Sequence, residues 1–279
     1  MYFPNGFDKD LAIELGNLLI ESYEQFYAFE DEREWEISKQ YELVDIFRYK
    51  VKPDKILGMM KTWNFDNVIK NIKMRNRDLI YIPIGFIAKK GNSIYLVFRG
   101  TKTPKEWLNN FSISLNEYLI PSYGNIHEGF FEIYDYNKET INRVLSGIDS
   151  KTKVYVTGHS LGAALATLAL PDIEISNNKK ISSLYTFGSP RVGDNEFVKS
   201  FNNLFQGRSY RIVNTSDIVT SIPLPALMIG SLGGYFSHID TPIDFTIQEN
   251  NIEKNHAMET YIREIENTEP SNGMLRQIV

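Results

Sequence analysis

Gly158-His159-Ser160-Leu161-Gly162 places a serine between two glycines, after the β-branched run Lys153-Val154-Tyr155-Val156-Thr157 and before an Ala/Leu-rich stretch. A serine at a sharp strand-to-helix turn can act as a nucleophile, because its hydroxyl stands clear at the carboxyl end of the strand. Glycines on either side remove the Cβ atoms that would keep strand and helix apart. Leu161 then opens the helix, so its N–H has no intrahelical partner and is available to a developing oxyanion. Ala163, Ala164, Ala166 and Ala169 favour the helix and keep it thin against a sheet. The same five residues also fit a Gly-bounded turn with Ser160 as a plain N-cap.

A serine nucleophile needs a base to take its proton and a carboxylate to orient that base. The chain has 4 His. His159 is next to Ser160, with its side chain expected to project away from the hydroxyl. His127 precedes the nucleophile, whereas strand–elbow–helix hydrolases run in the order Ser, acid, His. His238 reads as part of a strand start and fits a structural role. His256, expected at a loop-to-helix junction, is the favoured base. For the acid, Asp217 lies just past the expected strand Tyr210-Arg211-Ile212-Val213. Its competitor Asp194 opens a helix, and N-capping accounts for it.

The elements that must hold these residues alternate. Apolar spacing predicts a helix from Asp8, as N-cap, to Phe29. A hairpin follows over 80–88 and 93–98. Further helices are predicted over 129–145, 160–170, 195–205 and 255–265, and strands over 153–157, 183–187 and 210–213. Such alternation implies an α/β fold, a mainly parallel sheet flanked by helices, with ligands at the carboxyl ends of the strands. Ser160, Gly100-Thr101 and the turn at 214–217 all fall there. No repeat or linker is visible, so residues 1–279 are expected to form one domain. The apolar stretch 222–236 has two prolines and three glycines and is expected to be a loop, whose part from Leu224 to Phe236, with Leu227 and Met228, is expected to wall a pocket.

A net charge of −5 argues against a phosphate-binding surface and hence against nucleic acid as a partner. There is no Cys, so neither disulfides nor thiolate metal sites are available. No apolar run reaches the ~18 residues of a membrane span. The N-terminus has no basic leader before an apolar run, and the expected location is cytoplasmic.

Four segments together resemble the class 3 lipases of the α/β-hydrolase superfamily: Leu96-Val97-Phe98-Arg99-Gly100-Thr101, Ile126-His127-Glu128-Gly129-Phe130, the run around Ser160, and Tyr185-Thr186-Phe187-Gly188-Ser189-Pro190-Arg191-Val192-Gly193. The resemblance spans roughly residues 80–265. It implies Ser160 as nucleophile, Asp217 as orienting acid, His256 as general base and the N–H groups of Thr101 and Leu161 as oxyanion donors. It also implies a non-catalytic His238, a lid near residues 103–116, no cofactor and no metal. The implied activity is carboxylic-ester hydrolysis, of the triacylglycerol lipase type, with transient contact at a lipid–water interface. Phospholipase A1, galactolipase and feruloyl esterase activities are alternatives, and a lipase-like interaction protein without catalysis is a reading of another class. The sequence leaves the oligomeric state open.

Overall fold

The computed structural model describes residues 1–51, 80–101, 114–223, 226–229, 232–240 and 242–269, with 51, 226–229 and 232–234 described by backbone alone. Helix α1 (Lys9–Glu30) starts at the expected cap, with the Asp8 carboxylate accepting from the Leu11 N–H at 3.0 Å. Strand β1 (Glu42–Val51) follows, in a region the sequence left unassigned, and then the expected hairpin β2 (Ile80–Lys90) and β3 (Ser93–Phe98). Short strands β4 (Leu115–Glu117) and β5 (Asn125–His127) lead to α2 (Glu128–Ser146), whose N-cap is the side chain of His127. Strand β6 (Lys153–His159) feeds α3 (Leu161–Pro171) directly. Beyond it come β7 (Ser183–Phe187), β8 (Gly193–Asp194), α4 (Asn195–Phe205) and β9 (Ser209–Asn214). The chain continues through β10 (Ala226–Ile229), β11 (Leu232–Ser237) and β12 (Pro242–Phe245) to α5 (Ile252–His256) and α6 (Met258–Asn267).

Seven strands form the central sheet in the order β1-β2-β3-β6-β7-β9-β12. The two pairs at the β1 edge are antiparallel; β3-β6, β6-β7, β7-β9 and β9-β12 are parallel. The buried strands read as nearly continuous apolar runs, as strands covered on both faces must. One face is covered by α2 and α3, the other by α1 and α6, giving two apolar clusters with the sheet between them. A smaller sheet, β10-β11-β8-β5-β4, stands beside the main one. This architecture is an α/β-hydrolase fold.

Three expectations need correction. Residues 226–229 and 232–235, expected to be loop, pair antiparallel within β10 and β11. Glycine at 233 and 234 proved compatible with a strand, because Leu227 and Met228 lie opposite them and the partner strand supplies the hydrogen bonds. His238 follows β11 and starts no strand. The last helix is broken at Ala257, whose extended backbone (φ −66°, ψ 139°) divides α5 from α6. Most of the expected lid, residues 102–113, lies outside the described residues.

The contact that fixes the sheet against α3 is made by two absent side chains. A Cβ on Gly158 would lie 2.1 Å from the Gly162 carbonyl oxygen, and one on Gly162 would lie 2.0 Å from that of Phe98. Both neighbours are backbone and cannot rotate aside. Gly162→Ala is therefore expected to cost at least about 3 kcal/mol, read as a lowered midpoint in urea unfolding.

Candidate active site

Ser160 occupies the turn between β6 and α3 with φ 56° and ψ −126°. An L-residue is held there only when its surroundings over-determine it. Here the Ser160 N–H donates to the Phe187 carbonyl at 3.0 Å and its own carbonyl accepts from Ala163 at 3.0 Å. Gly100, at the end of β3, presses on the same turn: a Cβ there would meet the Ser160 Cβ and the His159 carbonyl oxygen at 2.7 Å. Thr101 follows it, buried. Among the described residues, Ser160 Oγ, Thr101 Oγ1 and His256 Nε2 are buried without a hydrogen-bond partner. Buried polar atoms are ordinarily paired, so three orphans converging on one turn call for a reacting partner.

His256 and Asp217 meet across 39 residues of chain. His256 Nδ1 lies 2.6 Å from Asp217 Oδ2, and both side chains are buried. The carboxylate can only accept from that nitrogen if Nδ1 carries the proton, which leaves Nε2 with its lone pair free. The other Asp217 oxygen caps the turn that follows, accepting from the Val219 N–H at 3.0 Å. Gly188, in the loop after β7, makes room for the pair. A Cβ there would lie 3.0 Å from Asp217 Oδ2, His256 Cε1 and the Tyr261 hydroxyl alike, and its φ of 56° suits glycine.

Several residues at the site carry no local signal in the sequence. The Tyr261 hydroxyl donates to Asp217 Oδ2 at 2.6 Å, and burial drives its pKa well above the ordinary phenol value. Arg99 is buried, with its guanidinium 4.0 Å from the centre of the Phe26 ring. It donates to the carbonyls of Pro83 and Gly100, and burial lowers its pKa to about 10, so it remains a cation at neutral pH. This charge fixes the carbonyl directly ahead of Thr101. Tyr23, from α1, donates toward His159. The residues set aside on sequence grounds keep structural partners: Asp194 caps α4 and holds Asn125, and His127 caps α2.

A cavity of about 160 Å³ lies among Tyr23, Tyr27, Thr101, His159, His256 and Met258. A larger groove of about 980 Å³ runs along α1 past Glu14, Tyr41 and Tyr95, and none of the residues singled out for chemistry lines it. Residues 226–229 contribute backbone only to the description, so the expected acyl wall at Leu227 and Met228 lies outside it. Among the described residues, no three His, Asp or Glu side chains are grouped to hold a metal ion, and no helix is long and apolar enough to cross a membrane.

Residues 95–226 match the family described as Lipase (class 3), which bears out the resemblance read from the four sequence segments. Phospholipase A1-II 1 of Oryza sativa subsp. indica is 33% identical over 213 residues, covering 64% of this chain and 51% of the relative. A lipase of Rhizomucor miehei is 33% identical over 176 residues, covering 60% of this chain and 44% of the relative. The chain thus spans about half the length of these relatives. The crystal structure of a lipase from Rhizopus microsporus var. chinensis shares the fold, with a TM-score of 0.54 at 22% identity over 78% of this chain and 70% of that one.

His238 gives the site a pH signature. Its Nε2 donates to the Thr220 carbonyl at 2.7 Å, in the turn that follows Asp217. Burial, with Arg211 and then Arg191 adding to it, pushes its pKa from 6.5 down to about 3. The unfolded chain binds this proton near pH 6.5 and the folded chain only near 3, so stability is full above 6.5 and falls as pH drops between the two. His238→Gln is expected to shrink the loss of Tm between pH 7 and pH 5 by about 3 °C, measured by calorimetry.

Proposed function

We propose that the chain hydrolyses carboxylic esters of lipids through an acyl-enzyme on Ser160. The observation that carries this reading is the 2.6 Å bond from His256 Nδ1 to Asp217, which leaves Nε2 unpaired beside a strained turn whose serine hydroxyl is also unpaired. His256 Nε2 takes the Ser160 proton as Oγ attacks the ester carbonyl. The oxyanion that forms is held by the N–H groups of Thr101 and Leu161. As the intermediate collapses, the C–O bond breaks and His256 gives its proton to the leaving alcohol. Water then enters, loses a proton to His256 and releases the fatty acid with Ser160 restored.

Within this class, phospholipids stand beside neutral glycerides as substrates. What favours them is the 33% identity to a relative named as a phospholipase A1, set against the same identity to one named as a lipase. Access from a lipid–water interface, governed by residues 103–116, is part of the proposal.

Ser160→Ala is expected to lower kcat on a short p-nitrophenyl ester by at least ~10³-fold. Hydrolysis at the unchanged rate would overturn the ester-hydrolase reading in favour of a binding protein. Tyr261→Phe removes one donor to Asp217 and is expected to cost about tenfold in kcat with KM nearly unchanged. A panel of triacylglycerol and phosphatidylcholine, each as monomers and as aggregates, assigns the head group by the larger kcat/KM.

A further inference from the structure

His159 is fully committed to two partners. Its Nε2 lies 2.8 Å from the backbone carbonyl oxygen of His256, 97 residues away in sequence. That oxygen only accepts, so Nε2 carries the proton. Nδ1 is then the lone-pair nitrogen, and the Tyr23 hydroxyl donates to it at 2.7 Å. Both ring nitrogens are used and the ring is neutral. Burial, reinforced by the neighbouring His256, holds its pKa well below 6.5 in agreement with this. The rings of His159 and His256 lie 4.4 Å apart, centre to centre.

The backbone just ahead of His256 is also held by side chains. The Asn255 carbonyl accepts from Asn214 Nδ2 at 2.9 Å, and the Lys254 carbonyl from Thr260 Oγ1 at 2.8 Å. The His256 carbonyl differs, because its donor belongs to the residue adjoining Ser160. The His159 bond therefore ties the backbone of the base's own residue to the turn carrying the nucleophile, one residue from Ser160. A proton on Nδ1 would remove the acceptor for Tyr23 and set a cation beside the imidazolium that His256 forms in turnover.

We propose that His159 is a positioning residue that sets the register of His256 against Ser160 through the His256 carbonyl, and that Tyr23 selects the tautomer able to do so. The inference rests on the ester-hydrolase reading above. It assigns a role in the reaction to α1, which lies outside the segment matched to the lipase family.

The test is steady-state hydrolysis of a short soluble p-nitrophenyl ester by the full chain. His159→Leu is expected to lower kcat by about 30-fold with KM changed less than about twofold, as for a sub-ångström misplacement of a reacting group. His159→Gln, whose amide nitrogen reaches toward the place of Nε2, is expected to restore kcat to within about fivefold of the parent. Tyr23→Phe is expected to cost about fivefold in the parent and nothing in the His159→Gln background, where no tautomer needs selecting. A kcat for His159→Leu within twofold of the parent overturns the proposal. So does a glutamine variant as impaired as the leucine one, or an equal Tyr23→Phe effect in both backgrounds. If His159→Leu does not fold, the two-background Tyr23 comparison decides alone. Ser160→Ala separates the two readings: when it is inactive, a negative result here overturns only the role of His159, and when it is active the ester-hydrolase reading itself fails.

Discussion

The close approach of β6 to α3 at Gly158 and Gly162 governs the geometry of the whole site. With Cβ positions 2.1 and 2.0 Å from backbone oxygens, neither residue tolerates a side chain, and the turn between them is compressed into a single residue. That residue must take a positive φ, and Ser160 does so at 56°. Strain of this kind costs on the order of 1–3 kcal/mol and persists only where packing enforces it. The enforcement is visible in α3, which is buried along its entire length between the sheet and α2. A helix rich in alanine is what permits such burial, since a broader one would hold the sheet farther away.

The same compression has consequences on both sides of the serine. Upstream, β3 pairs with β6 through Phe98 and Gly158, so the chain leaving β3 at Gly100 runs against Ser160. Buried Arg99 anchors that exit by binding the carbonyls of Pro83 and Gly100. Placing a guanidinium in the interior is expensive unless its donors are met. Two carbonyls meet part of that need and the Phe26 ring covers one face, so the cation keeps its charge in the interior. Downstream, the Phe187 carbonyl holds the Ser160 N–H, and the following Gly188 opens the space in which Asp217, His256 and Tyr261 come together.

How much of this was legible depended on the range of the interaction. The elbow, α1 with its Asp8 cap and the 80–98 hairpin are local patterns of spacing and propensity, and they appear as read. Residues 226–229 and 232–235 misled because glycine and proline signal breaks locally, whereas cross-strand pairing decides a hairpin. His238 misled in the opposite sense: it reads as part of a strand start, yet pairing with β8 stops at Ser237. The single helix expected over 255–265 hid a break at Ala257, a residue whose propensity favours helix. Tyr23, Arg99 and Tyr261 were invisible because each acts through a hydrogen bond or ring contact set by the fold. His159 was half legible: its neighbouring serine was evident, but its bond to the His256 backbone crosses 97 residues.

The lipase-family match over residues 95–226 holds Ser160, Asp217 and Thr101 but neither His256 nor Tyr23. The flanking elements therefore have to deliver the base. Helices α1 and α6 pack on each other so tightly that a Cβ on Gly16 would lie 2.8 Å from Ile262 Cγ1. Tyr23 lies two turns further along α1, and Tyr261 is the residue before Ile262. One helix pair thus carries both hydroxyls that brace the His256 region, one toward His159 and the other toward Asp217. A shift of α1 against α6 would loosen both at once. Packing of two helices outside the matched segment and alignment of the proton path within it are in this way a single mechanical problem.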